Sequence, residues 1–364
     1  MRKSILLISL AALACAQPRT SAVPVSDAQL LTRARAIHER ILTIDTHDDI
    51  PLNFATPAVD PLNADRQVNL EKMRAGGLDV GFFIVYVGQT PRTPENYERA
   101  KTEAMMKFAA IHRMADTLYP QLIELAYTPG DVRRIVLSGK LVAAIGIENG
   151  YVIGRDLSLI RTYFDLGGRY MTLAHGRNND ICDSATDQTQ EHGGLSPFGR
   201  DVVREMNRVG MMVDISHVSK DCMMQATALS TSPVIASHSS TKALANVARN
   251  MDDEQLRAVA RNGGVVQIVA LDRFVKVDAP PATVADFVNH IDHAVRVAGI
   301  DHVGISSDFD GGGGVEGWND ASETHNVTVE LLRRGYTEPQ IRKLWGENTL
   351  RVWDENRRKA AIPR

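Results

Sequence analysis

The chain is poor in the residues that would cross-link it, carry it through a bilayer or hold a phosphate backbone. Cysteine occurs 3 times in 364 residues, too rarely for a disulfide scaffold. Past the first residues, no stretch approaches the ~18 continuous apolar side chains of a transmembrane helix. Lys and Arg total 41 against 44 Asp and Glu. No block of basic residues with interleaved aromatics occurs, which argues against a nucleic-acid partner. What remains is a 44% apolar, 23% charged composition, within the range of a globular protein with a sizeable core.

Met1-Arg2-Lys3 followed by the apolar run from Ile5 to Ala14 reads as a secretory signal, too short to span a membrane. Ala11-Ala12-Leu13-Ala14 before Cys15 suits a lipoprotein signal peptidase, which would make Cys15 a lipid anchor, and Ala12-Leu13-Ala14 equally suits ordinary A-x-A cleavage. Both routes give an exported protein, periplasmic or membrane-anchored. Residues 1–22 are read as signal peptide and tether, and 23–364 as one domain. Assembly as a homodimer stays open. Cys182 and Cys222 are read as two free buried thiols, although spacing alone does not decide whether they pair.

Beyond a first helix over 27–42, a short β-branched and apolar run, a polar residue, a loop and an amphipathic stretch recur. Eight such runs are found: Ile41–Asp45, Val80–Val87, Leu141–Ile147, Tyr170–Ala174, Met211–Ser216, Pro233–Ser237, Gly264–Ala270 and His302–Ser307. That is the number that closes a parallel barrel, so the expected fold is α/β, a (β/α)8 TIM barrel. Helix punctuation agrees. Ser196-Pro197 opens a helix ending at Gly210, Ser158 one stopped by Gly167-Gly168, Asp252-Asp253-Glu254 one ending at Asn262-Gly263, and Thr93-Pro94-Glu95 one reaching about Leu118. Residues 337–358 are expected to form two helices broken near Gly346, packed beneath or beside the barrel.

Chemistry in such a barrel belongs at the C-terminal ends of the strands. There the chain places His47-Asp48-Asp49, Glu148, His175, His217, His238 and Asp308. Taken alone, His47-x-Asp49 is a weak signal, because polar residues after a strand more often make a turn. In extended backbone, however, residues i and i+2 face one side, so His47 and Asp49 can grip one ion through the nitrogen and oxygen donors zinc accepts. Glu148 follows a strand too apolar to leave a bare carboxylate without a cation or several donors. His217 and His238 end neighbouring strands and could converge on a second ion. The other seven of the eleven histidines, His38, His112, His192, His290, His293, His302 and His325, fall on helices, loops or the far end of the barrel and read as structural. Gly311 to Gly314 lacks a following Gly-Lys-Ser/Thr and reads as a mobile loop at the pocket rim rather than a phosphate cradle.

The set His47-x-Asp49, Glu148, His175, His217, His238 and Asp308-Phe309-Asp310-Gly311 resembles the membrane dipeptidase (renal dipeptidase) family of metallopeptidases. Leu195-Ser196-Pro197-Phe198-Gly199, His238-Ser239-Ser240 and Arg249-Asn250 extend the similarity over essentially the whole chain after residue 40. The resemblance implies a zinc-dependent dipeptidase with two Zn2+ ions per subunit: one held by His47 and Asp49, the other by His217 and His238, with Glu148 bridging. It implies a nucleophilic water shared by the ions, His175 at the scissile carbonyl, Arg249 on the substrate carboxylate and Asp308 handling protons. Choosing Asp308 over Asp310 rests on the resemblance. It also implies dipeptides as substrates, L,D-dipeptides included. Animal members carry a cysteine where this chain has Arg177, so their local disulfide is not expected. Related barrel hydrolases, the deaminase and phosphotriesterase types, start from His-x-His and often bridge with a modified lysine, and neither feature occurs here. An exported binding protein that had lost activity would show a replaced ligand position, and none is replaced.

Overall fold

The computed structural model of the chain describes residues 26–278 and 281–361. The leader, the tether and Cys15 lie outside those residues. Nine strands are present among the described residues: β1 (Ile44–Asp49), β2 (Val80–Tyr86), β3 (Ile123–Leu125), β4 (Leu141–Glu148), β5 (Gly168–Thr172), β6 (Met212–Asp214), β7 (Ile235–Ser239), β8 (Val265–Val269) and β9 (Val303–Ser306). Eight of them follow one path, β1-β2-β4-β5-β6-β7-β8-β9, and β3 lies off it. Every pairing is parallel. With helices between successive strands, this is the expected (β/α)8 barrel.

The ninth strand has a local cause. β5 joins β4 only from Ile145 onward, and β3 fills the edge that β5 leaves empty, pairing Ile123 with Leu141 and Leu125 with Ala143. Three residues, Ile-Glu-Leu, are too few to register as a periodic run. The ring closes lightly. Between β1 and the segment just past β9 stand one parallel bridge, Asp48 with Phe309, and a hydrogen bond from the Asp49 amide to the Phe309 carbonyl at 2.9 Å. The buried Asp45 carboxylate reinforces this seam by accepting from the amides of Ser307 (3.0 Å) and His47 (3.3 Å).

The strands are buried on both faces, which is why they read as nearly continuous apolar runs; all eight residues of β4 are buried. Val80, Phe82, Val142, Tyr170, Met212, Ile235 and Val265 fill the barrel, with Leu350 and Trp353 of the last helix against them. Phe82 stacks on Tyr170 at 5.6 Å and meets Trp353 edge-on at 5.7 Å. A larger apolar layer lies between strands and helices and contains Cys182, Cys222 and most helix-facing residues. Both thiols are free.

Several boundaries shift from those read in the sequence. The first helix stops at His38 rather than residue 42, and β1 starts at Ile44, so His47 and Asp49 lie within the strand. β5 and β6 end at Thr172 and Asp214, leaving His175 and His217 each three residues beyond them. The C-terminal segment does not break at Gly346. A π-turn over Lys343–Glu347 joins Glu338–Arg342 to Asn348–Lys359. A β-carbon at Gly346 would stand 2.7 Å from the Leu42 carbonyl oxygen, so glycine lets this helix pass close under β1. The Ser196 and Asp252 caps form as expected, and their helices end on Gly210 and Gly263 at φ 86° and 84°.

His38 is buried where the first helix meets the helix His325–Arg333. Its Nδ1 lies 3.1 Å from the Gly77 carbonyl and its Nε2 2.7 Å from Thr328 Oγ1, which accepts from the Trp345 indole. Burial, helped by the neighbouring His325, pushes His38 down to about 3, and burial with Arg35 nearby pushes His325 down to about 4. Both rings therefore take up protons on unfolding below their ordinary value of 6.5. Their stabilising contribution is complete above that pH and is lost as pH falls toward 4 and then 3, at about 1.4 kcal/mol per pH unit for each ring. Urea midpoints should fall between pH 7 and pH 5, and His38→Gln should flatten that dependence; an unchanged slope in the variant contradicts the assignment. A second expectation concerns Gly146, where a β-carbon would lie 2.2 Å from the Tyr170 ring. Gly146→Ala should cost about 3 kcal/mol or more in denaturant unfolding.

Candidate active site and metal centre

The strand ends surround a cavity of about 460 Å³ lined by Asp49, Glu148, His175, His217, His238, Arg249 and Asp308, among others. Glu148 is the last residue of β4, and its two carboxylate oxygens face different imidazoles. Oε2 lies 3.6 Å from His47 Nε2, which is itself 3.6 Å from Asp49 Oδ2 and 3.9 Å from Asp308 Oδ1. Oε1 lies 2.9 Å from His217 Nε2, 3.4 Å from His238 Nε2 and 3.7 Å from His175 Nε2. The Nε2 atoms of His217 and His238 are 2.7 Å apart. Three sets of potential ligand atoms fall within 4.8 Å of one another: His47, Asp49 and Glu148; Glu148, His175 and His217; His47, His238 and Asp308. The sequence-derived residues thus meet in one place, and His175 and Asp308 stand as close to the ligand sets as the residues expected to bind metal.

The donors fit divalent cations. His47 is wholly buried, its Nδ1 is 3.1 Å from the Tyr170 hydroxyl, and its Nε2 has no hydrogen-bond partner. The Tyr170 hydroxyl donates to the Thr46 carbonyl at 2.8 Å, so it accepts from His47 Nδ1 and leaves the Nε2 lone pair facing the cavity. Ser237 Oγ holds His238 Nδ1 at 2.8 Å in the same manner. Without a cation the carboxylates repel one another in poor solvent. Burial pushes Asp308 up to about 8, with Asp49 and Glu148 adding to the shift while His47 opposes it. Burial likewise lifts Asp49 to about 6 against the pull of His47. Burial would also raise Glu148, but His47, His175 and His217 outweigh it and hold it well below the usual range. His47 is driven the other way: burial lowers it, and Glu148, Asp49 and Asp308 overcome that and raise it to about 10.

Backbone strain collects here. Of the five non-glycine residues at positive φ among the described residues, His217 (67°), Asp308 (61°), Asp310 (63°) and Asn149 (76°) belong to the site or adjoin it. The amide of Ala185 bonds the His217 carbonyl at 2.7 Å, and the amides of Gly311 and Gly313 bond the Asp308 carbonyl at 3.1 and 2.7 Å. The glycine run 311–314 is therefore tied down, further fixed by Gly314 to Ala270 at 2.7 Å and by the Gln67 side chain to Gly313 at 2.9 Å, instead of forming the mobile loop expected. Asp308 and Asp310 separate by geometry: Asp310 accepts from the amides of Gln67 and Val68 and pairs with Arg66 at 3.2 Å, while Asp308 faces His47.

Arg249, which sequence alone would place on the surface, is 7% exposed. Its Nη2 donates to the His238 carbonyl at 3.2 Å and its Nε is buried without a partner. Burial lowers it to about 10 despite Glu148 and Asp308. Sequence reasoning missed Tyr86, Lys107, Phe274 and Arg273 in the cavity wall. Tyr86, at the end of β2, was legible by the strand-end rule. Lys107 reaches the site from the helix Pro94–His112 and bonds the Ile50 carbonyl at 2.6 Å, which no local pattern signals.

A parallel (β/α)8 barrel whose mouth brings imidazoles and carboxylates around a central glutamate defines the class: a metal-dependent hydrolase. The chain belongs to the membrane dipeptidase family, peptidase family M19, whose model matches residues 31–362. Dipeptidase tcpJ of Claviceps purpurea is 39% identical over 294 residues, 79% of this chain and 69% of that protein. The crystal structure of the probable dipeptidase PvdM from Pseudomonas aeruginosa superposes with a TM-score of 0.88 at 30% identity, covering 92% of this chain and all (100%) of that one. A metallopeptidase from Rhodobacter sphaeroides, liganded with a phosphinate mimic of the dipeptide L-Ala-D-Ala, gives a TM-score of 0.79 at 25% identity over 87% of this chain and 99% of that one. The chain is accordingly a metal-dependent hydrolase of peptide bonds in dipeptides.

A β-carbon at Gly311 would lie 2.2 Å from Asp49 Oδ2 and 2.6 Å from Asp308 Oδ1. Gly311→Ala should therefore weaken metal binding about 10- to 100-fold, the range seen when a ligand's supporting contacts are disturbed. Competition with a chromogenic chelator measures it, and unchanged affinity would show that the two carboxylates are not fixed by this contact.

Proposed function

We propose that the chain is a binuclear zinc dipeptidase: His47 and Asp49 hold one ion, His217 and His238 the other, and Glu148 bridges them. The observation that carries this reading is the division of Glu148, one oxygen toward His47 and the other toward His217 and His238. When bound, a pair of such cations acidifies water enough for attack at neutral pH and polarises the scissile carbonyl. The protein's own groups do the rest. Arg249 binds the substrate's C-terminal carboxylate through its unpaired guanidinium edge, which restricts substrates to two residues because a longer chain presents an amide there. His175 donates to the carbonyl oxygen as negative charge develops on it. Asp308 accepts the proton of the attacking water and delivers it to the departing amine. L,D-dipeptides are included among the substrates, supported by the L-Ala-D-Ala mimic bound in the Rhodobacter relative. Export through the leader at 1–22, with or without a lipid on Cys15, completes the proposal, and a homodimer is the assembly it carries.

The test is a panel of L,L- and L,D-dipeptides assayed on metal-analysed protein before and after chelation, with light scattering for the assembly. Activity should vanish with the metal and return with zinc, and activity indifferent to chelation would end the reading. Glu148→Gln should abolish turnover. Arg249→Ala should lower kcat/KM roughly 100-fold or more, mainly through KM, as expected for loss of a buried partner to a charge; an unchanged kcat/KM would remove Arg249 from the substrate site.

A further inference from the structure

The cavity wall carries cations beyond Arg249, and all but one are committed. Arg66 pairs with Asp310 at 3.2 Å and donates to the Asp49 carbonyl at 2.8 Å. Lys107 is buried and spends its ammonium on the Ile50 carbonyl. Arg273 also lines the cavity, but among the described residues its guanidinium has no ion pair or hydrogen bond and lies over the Phe274 ring at 5.2 Å. The guanidinium of Arg249 lies 5.4 Å from the same ring. The two guanidinium carbons are therefore no more than about 10.6 Å apart, the two distances end to end.

Their relative position is built in. Asn250, the neighbour of Arg249, donates to the Phe274 carbonyl at 2.9 Å and so ties the Arg249 loop to the helical turn Asp272–Val275 that carries Arg273. The Asp272 side chain accepts from the Ala282 amide, and Leu271 bridges to Gly314 at the rim. A planar, always charged fork on an aromatic face is pre-organised for a carboxylate. Two such forks in one cavity wall, at most about 10.6 Å apart, are within reach of a ligand bearing two carboxylates on a short aliphatic linker. Aspartate and glutamate at the C-terminus of a dipeptide are that ligand.

We propose that Arg273 is a specificity-determining residue that receives the side-chain carboxylate of the substrate's C-terminal residue, so that preferred dipeptides end in an acidic amino acid. The inference rests on the dipeptidase reading, with Arg249 on the main-chain carboxylate. Its test uses the full, zinc-loaded chain and isosteric pairs: Ala-Asp against Ala-Asn, and Ala-Glu against Ala-Gln, each in L,L and L,D form. The acidic member should be favoured about tenfold in kcat/KM, through KM, as for a charge-assisted bidentate contact. Arg273→Gln should bring the ratio near unity while leaving the amide substrates within about twofold, since a polar side chain of similar length keeps the shape of the wall. Arg273→Lys should restore part of the preference, keeping the charge without the fork. A wild-type ratio at or below unity, or an equal loss on both members in Arg273→Gln, overturns the proposal. Calorimetric binding of free aspartate against asparagine reads the same subsite without turnover. Absence of all dipeptide hydrolysis counts against the reaction, whereas absence of an aspartate preference in both assays counts against Arg273.

Discussion

Glu148 bears its charge at the end of a buried strand, where little of it meets water, and the arrangement around it answers that one electrostatic demand. Three imidazoles, His175 and His217 from the loops after β5 and β6 and His238 from β7, lie within 3.7 Å of Oε1, and His47 approaches Oε2 from β1. A carboxylate so placed is tolerated only beside positive charge. Asp49 and Asp308 raise the demand, because each is driven toward its protonated form when no cation is near. Supporting contacts follow from it. Tyr170 turns the lone pair of His47 inward, Ser237 does so for His238, and the absent side chain of Gly146 gives the Tyr170 ring its place across the barrel. A residue deep in the barrel interior thereby sets the direction of a nitrogen at its mouth.

The architecture was legible because it rests on patterns that repeat. Eight apolar runs separated by capped helices identified a barrel, and the count matched the closed path even though the ninth strand was overlooked. β3 escaped because its existence depends on where β5 joins β4, a tertiary circumstance with no local trace. The π-turn at Lys343–Glu347 was misread as a break for a related reason: Gly346 looks like a helix stop in sequence, whereas here it answers the close passage of the Leu42 carbonyl. Strand-end polarity located His47, Asp49, Glu148, His175, His217, His238 and Asp308. It did so although His217 and Asp308 lie past their strands in left-handed backbone, a conformation that sequence does not announce for such residues.

The limits of that legibility follow from chain direction. Residues whose roles depend on reaching in from elsewhere, Lys107 from a helix and Arg273 and Phe274 from a short turn after β8, have no pattern that separates them from surface residues of the same type. Arg249 differed only because its neighbours matched a family motif. Its burial and its unpaired Nε are properties of the folded loop alone. Asp308 and Asp310, two residues apart and chemically identical, are told apart by the amides of Gln67 and Val68, which engage the second and leave the first facing the cavity.

The light closure between β1 and β9 carries a thermodynamic corollary. The strand that completes the ring contributes His47 and Asp49, and Asp308 lies two residues past the strand it meets, so any ion gripped by these groups also clasps a lightly bridged join of the barrel. Ligand free energy then adds to that of the fold by mass action. Heat resistance becomes a function of free cation concentration, and bound cation slows the exchange of amide protons at this join with solvent.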